Sequence, residues 1–136
     1  MLVLGVRCSN SDFSYCEMTG SDKAPDIEKA SRVAFPKGFK EPELLNWLFQ
    51  EFTTLISNRE YDAVAIKKAE ATVRRTNALE IRIQAGAMII LAAHQAGCRN
   101  IHRKVKATIA KDLGLKGKGK YLTTKLDTSV LNNFEQ

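Results

Sequence analysis

Cysteine is scarce in this chain, and its three copies, Cys8, Cys16 and Cys98, include no Cys-x-x-Cys pair. An odd, scattered set excludes a disulfide framework and a zinc ribbon, so reduced thiols are expected. A Cys8–Cys16 bridge across a hairpin would need both residues in register. The only histidines are His94 and His102. Neither has a partner at metal-ligand spacing, so the composition predicts no resident metal and no cofactor. No Ser–His–Asp or Cys–His arrangement is readable. No apolar run approaches the ~20 residues of a spanning helix, which argues against a membrane partner. Met1 to Val6 is too short for a signal-peptide core and has no basic residue before it. Together with the reduced thiols, this predicts a cytoplasmic location. Aromatic residues are thin where the chain is most basic. Only Tyr121 lies close to that region, which speaks against base recognition by stacking.

Positive charge is plentiful. The 136 residues carry 21 Lys or Arg against 15 Asp or Glu, a net charge of +6. Such a surface favours polyanionic partners. The excess is concentrated late: between Arg99 and Lys125 the one acid is Asp112. The length suits a single domain, and 44% apolar residues suffice for a core without staples.

Leu2 to Val6 is a continuous apolar run, as expected of a strand buried on both faces. Ser9-Asn10-Ser11-Asp12 is a turn signal. Phe13, Tyr15 and Glu17 then alternate with Ser14, Cys16 and Met18, giving an antiparallel hairpin. The polar stretch 19–26, with Gly20 and Pro25, reads as a loop, and Ser31 to Phe35 as a third strand. Pro42 suits a first helical turn. After it Leu44, Leu45, Leu48, Phe49, Phe52, Leu55 and Ile56 mark one helix face ending near Ser57. Trp47 lies off that stripe and reads as a packing residue. Ala63 to Ile66 is another buried strand. Asn77 and Glu80 have capping-box spacing before a helix rich in small residues, which Gly97 stops. Arg99 to Arg103 reads as the last strand. Val105 to Leu113 has helical spacing, and Lys116-Gly117-Lys118-Gly119-Lys120 is a basic loop without Walker spacing. The order β-β-β-α-β-α-β-α implies a mixed sheet of α/β class.

Several segments carry a family resemblance beyond this order. Leu4-Gly5-Val6 before a turn, Tyr61-Asp62-Ala63-Val64-Ala65-Ile66, the helix around Gln84-Ala85-Gly86, Val105-Lys106-Ala107-Thr108 and the basic glycine-containing stretch from Lys116 follow one another at family spacing. Together they resemble RuvC-type Holliday-junction resolvases of the RNase H-like superfamily, over roughly residues 2 to 125. The resemblance implies an RNase H-like mixed five-stranded sheet with an N-terminal antiparallel hairpin. It places one domain over 1–125 and a C-terminal tail or short helix over 126–136.

The family's cleavage chemistry needs carboxylates for Mg²⁺, one after the first strand and one at the end of the Ala-Ile strand. Those positions here hold Arg7 and Lys67. A cation offers a metal no lone pair and repels it. The resemblance therefore implies a degenerate nuclease rather than an enzyme. If the alignment were shifted, Asp12, Glu70 and Asp127 would be the candidate catalytic acids, and Mg²⁺ the cofactor. Two readings of Arg7 and Lys67 stand open: a phosphate site, or charges that pair locally and reach water. With Lys68, Arg74, Arg75, Arg103, Lys104, Lys106, Lys116, Lys118 and Lys120 they form the candidate anion-binding set. The expected partner is the backbone of duplex or branched DNA or RNA. A protein partner or homodimer is the alternative.

Overall fold

A computed structural model describes residues 2–20, 25–69, 74 and 76–105. The element order is β1 (Val3–Cys8), β2 (Asp12–Gly20), β3 (Pro25–Ala34), α1 (Glu41–Ser57), β4 (Ala63–Lys67), α2 (Asn77–Gln95) and β5 (Ile101–Lys104). The strands form one sheet in the order β3-β2-β1-β4-β5. The first three are antiparallel, and β4 and β5 run parallel to β1. The mixed five-stranded sheet with its antiparallel start is thus present. The last expected helix, from Val105, and the 126–136 tail lie outside the described residues.

Alternation sets the two faces of the sheet. Leu4, Val6, Phe13, Tyr15, Val64 and Ile66 are buried and meet Leu48, Phe52 and Ile56 of α1 and Ala85, Ile89, Ala92 and Ala93 of α2 in one core. Both helices therefore pack on the same face. Small residues on α2 let its backbone lie close to the strands. Trp47 stacks edge-on against Phe35 and tilts against Phe13, the packing role expected of it. Residues of the other phase, among them Gly5, Arg7, Cys16, Ala65 and Lys67, point to the opposite face. No described helix covers that face.

Three local expectations change. The stretch 19–26 is largely strand, since β2 continues to Gly20 and β3 starts at Pro25 rather than Ser31. A bulge between Glu17 and Met18 carries the ladder on to Gly20↔Pro25. On an edge strand, polar side chains face water without cost, and a proline at its first residue sacrifices no ladder donor. The helix cap is Thr76, whose Oγ1 accepts from Leu79 N–H at 3.2 Å, and Asn77 is already helical. Threonine in extended backbone reaches the third N–H, so the Asn77–Glu80 box is not used. The last strand starts at Ile101, two residues late, because Ile101 is the residue that pairs with Val64.

Cys16 lies opposite Gly5 and Cys8 opposite Phe13, so no bridge joins the hairpin. All three cysteines are free thiols. No described helix is long and apolar enough to cross a membrane.

Candidate functional site

The register brings basic residues from distant parts of the chain into one row. Arg7 pairs with Lys67, and Lys67 with Lys104. On the other side Arg7 pairs with Ser14, and Ser14 with Arg32. Directly paired residues share a face, so Arg32, Ser14, Arg7, Lys67 and Lys104 cross all five strands on the face away from the helices. Neighbouring strands are about 4.8 Å apart, so the row spans roughly 19 Å. For β1, β4 and β5 it marks the carboxyl end, where open α/β sheets place their ligands.

A cleft opens beside this row, between the ends of β1 and β4 and helix α2. It is shallow, with a volume of about 40 Å³, is open to solvent, and is lined by Arg7, Cys8, Ile66, Lys67, Lys68, Ala69, Arg82 and Gly86. Arg7 is exposed at its rim. Lys67 Nζ donates to the Lys68 carbonyl at 2.6 Å. The Lys68 amide in turn donates to the Lys104 carbonyl at 2.8 Å, extending the β4–β5 ladder past the strand end. Arg82 points its Nε into a buried position with no hydrogen-bond partner among the described residues. A Cβ added at Gly86 would meet nothing within 4 Å, so the wall is open there.

Among the described residues the lining holds four cationic side chains, those of Arg7, Lys67, Lys68 and Arg82, beside Cys8, Ile66, Ala69 and Gly86, and no carboxylate. Burial, and after it the charge of Asp12, pushes the Cys8 thiol up to about 12, so it stays protonated and is no nucleophile at neutral pH. Among the described residues no cluster of three His, Cys, Asp or Glu could hold a metal. The described donors at these strand ends, Arg7, Lys67 and Lys68, do not fit a divalent cation.

Of the candidate set, Arg7, Lys67 and Lys68 line the cleft, and Lys104 is paired with Lys67. Arg103 pairs with Ile66 and so belongs to the other phase of β5, where it is exposed. Arg74 is exposed beyond the end of β4. Arg75, Lys106, Lys116, Lys118, Lys120, Glu70 and Asp127 lie outside the described residues. Asp12 opens β2 rather than sitting within the turn. It accepts from Ser9 Oγ at 2.9 Å and pairs with Arg32 at 3.8 Å. His94 and His102 are exposed.

Arg82 went unread in the sequence, although a signal exists. Leu79, Arg82, Gly86 and Ile89 are spaced by three and four, so Arg82 stands in the buried stripe of α2, where a cation is out of place. A second polar cluster was also missed. Glu17 is buried on β2, receives the Tyr61 hydroxyl, and lies 3.6 Å from Arg59. Arg59 also pairs with Glu28 of β3. Burial first, and the hydrogen bond to Glu17 second, raise the Tyr61 phenol well above its ordinary value. This cluster sits at the opposite end of the sheet and ties the α1–β4 connection to β2 and β3.

No family model and no curated protein sequence matches the chain. Solved structures do. Thermus thermophilus RuvC superposes with a TM-score of 0.68 at 13% identity, over 82% of this chain and 68% of that one. The same protein in complex with a Holliday junction substrate gives 0.65 at 16% identity, over 87% and 82%. The yeast mitochondrial Holliday junction resolvase Ydc2 gives 0.53 at 14% identity, over 90% and 60%. Identities this low speak to architecture alone, and sheet order, helix placement and superposition agree: the chain has an RNase H-like fold of the RuvC type.

Proposed function

We propose that this domain binds the sugar–phosphate backbone of nucleic acid, duplex or branched, without cleaving it, on its own or as an accessory part of a larger assembly. The observation that carries the reading is the adjacency of Arg7, Lys67 and Lys104 across three parallel strands. Three cations in a row on one face suit a polyanion and oppose a metal pair. In the T. thermophilus protein the same fold is seen with a Holliday junction, which makes a branched substrate the first to try. Contacts of this kind position a backbone and read little sequence. A salt titration with duplex and four-way-junction DNA tests the proposal. Affinity should fall steeply with salt, and absence of binding at low salt sinks it.

One observation favours a second reading, a protein-interaction module. Ile83 and Leu91 of α2 are large exposed apolar residues, 50% and 41% accessible. With Ala87 between them they mark one stripe at four-residue spacing. Light scattering on the isolated chain, with and without Ile83→Glu, tests it. A monomer at all concentrations removes self-association from that reading.

A further inference from the structure

We propose that Phe39, on the loop between β3 and α1, is a stacking platform for an unpaired nucleic-acid base, with Lys37 and Lys40 meeting the phosphates on either side of it.

The first ground is a ring with no part in the core. Phe39 is 42% accessible, and it is the one aromatic among the large exposed apolar residues described. Phe35, just before it, packs on the core and stacks edge-on against Trp47. Phe39 belongs neither to that core nor to any ring pair among the described residues. A lone exposed apolar side chain is ordinary. Where this one is held, and what flanks it, set it apart.

The second ground is its placing. β3 runs parallel to β1, since each is antiparallel to β2, so the loop leaves the sheet at the end where β1 delivers Arg7. Phe35 N–H donates to the Ser11 carbonyl at 2.9 Å, which ties the start of the loop to the hairpin turn. Gly38 has φ +80°, the left-handed value that the third residue of a type II turn requires. Leu44 N–H then donates to the Lys40 carbonyl at 2.9 Å as α1 begins. The exposed ring is thus carried on a turn anchored at both ends.

The third ground is charge. Residues 37–40 are all exposed. Lys37 and Lys40 make no ion pair among the described residues. Glu41 and Glu43 follow, but in the first turn of α1, where a helix N-terminus favours acids. The cationic row begins on β3 itself, at Arg32, so a backbone held along the row runs to the strand from which this loop departs.

An aromatic face between two lysines matches the parts of a nucleotide, a base to stack and phosphates to neutralise. In a continuous duplex each base is already stacked between its neighbours. The ligand is therefore a strand with an unpaired base, as at the opening of a fork or in a single-stranded tail. A lipid surface would call for several apolar residues together, and Phe39 stands alone in its loop. The scarcity of aromatics around the late basic run left stacking without support there, and Phe39 lies on another part of the chain. The inference rests on the nucleic-acid binding proposed above and names the kind of nucleic acid.

The test uses the whole chain and three DNAs with equal numbers of nucleotides: a blunt duplex, a duplex opened at one end into a fork of unpaired bases, and a single strand. A fluorescent 2-aminopurine among the unpaired bases reports stacking by its quenching. The fork is expected to bind about ten-fold tighter than the blunt duplex, as one stacked base allows. Phe39→Ala should bring that ratio to about one and abolish the quenching. It should leave duplex affinity and the melting temperature unchanged, since the ring has no part in the core. Phe39→Trp should keep the preference. Equal binding of fork and duplex by the unaltered chain, or a preference that survives Phe39→Ala, overturns the inference. Duplex binding without fork preference would leave the backbone reading intact and remove this one. Fork or single-strand binding lost in Phe39→Ala, without duplex binding, would do the reverse. Binding to anionic phospholipid vesicles that Phe39→Ala abolishes, with fork binding unmoved, would assign the ring to a membrane surface and overturn the inference.

Discussion

Arg7 of β1 and Lys67 of β4 are directly paired residues of neighbouring parallel strands, two cations side by side on one face of the sheet. Like charges directly opposite each other destabilise a sheet by roughly 0.2–1 kcal/mol. On the function proposed above, the pairing serves an anion and not the fold. Arg7→Gln should therefore leave the melting temperature unchanged or slightly higher. It should also weaken nucleic-acid binding and reduce the slope of log affinity against log salt by about one. A lower melting temperature with an unchanged slope would assign Arg7 a purely structural role.

At the far end of the sheet, Tyr61 donates its hydroxyl to the buried Glu17 carboxylate. Tyr61→Phe leaves that carboxylate with Arg59 at 3.6 Å and without its hydroxyl donor. An unmet buried acceptor costs about 1–3 kcal/mol, readable as a shift in the denaturation midpoint. The pH dependence follows from the raised phenol. Its proton is held more tightly folded than unfolded, so the stabilisation is complete below the ordinary value of 10.0 and is lost as pH climbs beyond it. Denaturation of the two proteins at neutral pH and above pH 10 checks this. The gap between them should narrow in alkali, and a constant gap would remove Tyr61 as the titrating group.

Sequence pattern reached the order of the described elements for physical reasons, and the family resemblance implied that Arg7 and Lys67 lie close together. Strand and helix periods are strong where apolar residues mark them, as in Leu4 and Val6 or Leu48, Phe52 and Ile56. Aligned strand ends then follow from the topology. The first half of β3 was illegible because Asp26, Glu28 and Lys29 are exposed polar residues, as an edge strand permits. Arg82 was obscured by its helix, where small residues and exposed Ile83 and Leu91 blur the stripe in which it stands. The Glu17–Tyr61 contact joins residues 44 positions apart. No local pattern announces such a partner. Glu17 shares the buried phase of Phe13 and Tyr15, and that was the trace available.

The thiols give a prediction about reactivity. Cys8 lies in the candidate cleft, yet burial and Asp12 push its thiol up to about 12. Cys16 is raised as well, by burial and then Glu17. Thiolate is the reactive form, so the native protein should label slowly at pH 8 with a disulfide reagent, Cys8 far more slowly than a free small thiol. All three cysteines should label in denaturant, with no disulfide to reduce. Mass mapping after a short pulse identifies the site. Rapid labelling of Cys8 in the native state would contradict the protonated thiol inferred for the cleft.

The cations at the strand ends, Arg7 and Lys67, lead to a prediction about metals. Incubation of branched DNA with the chain and Mg²⁺ or Mn²⁺ should yield no cleavage, and Asp12→Asn should change nothing there, since Asp12 is engaged with Ser9 and Arg32. Cleavage abolished by Asp12→Asn would restore the nuclease reading. The paired register allows a more demanding experiment. The double variant Arg7→Asp with Lys67→Asp sets two carboxylates on adjacent strands about 4.8 Å apart, close enough to share a divalent ion. Without metal they repel, so this variant should melt lower than a control carrying Arg7→Gln with Lys67→Gln. Millimolar Mg²⁺ or Mn²⁺ should then raise its melting temperature and leave the control unmoved, because an ion bound to the folded state alone stabilises it by mass action. A double variant that ignores metal would mean the two positions do not converge on a common ligand. The same result would weaken the case that Arg7 and Lys67 share an anion.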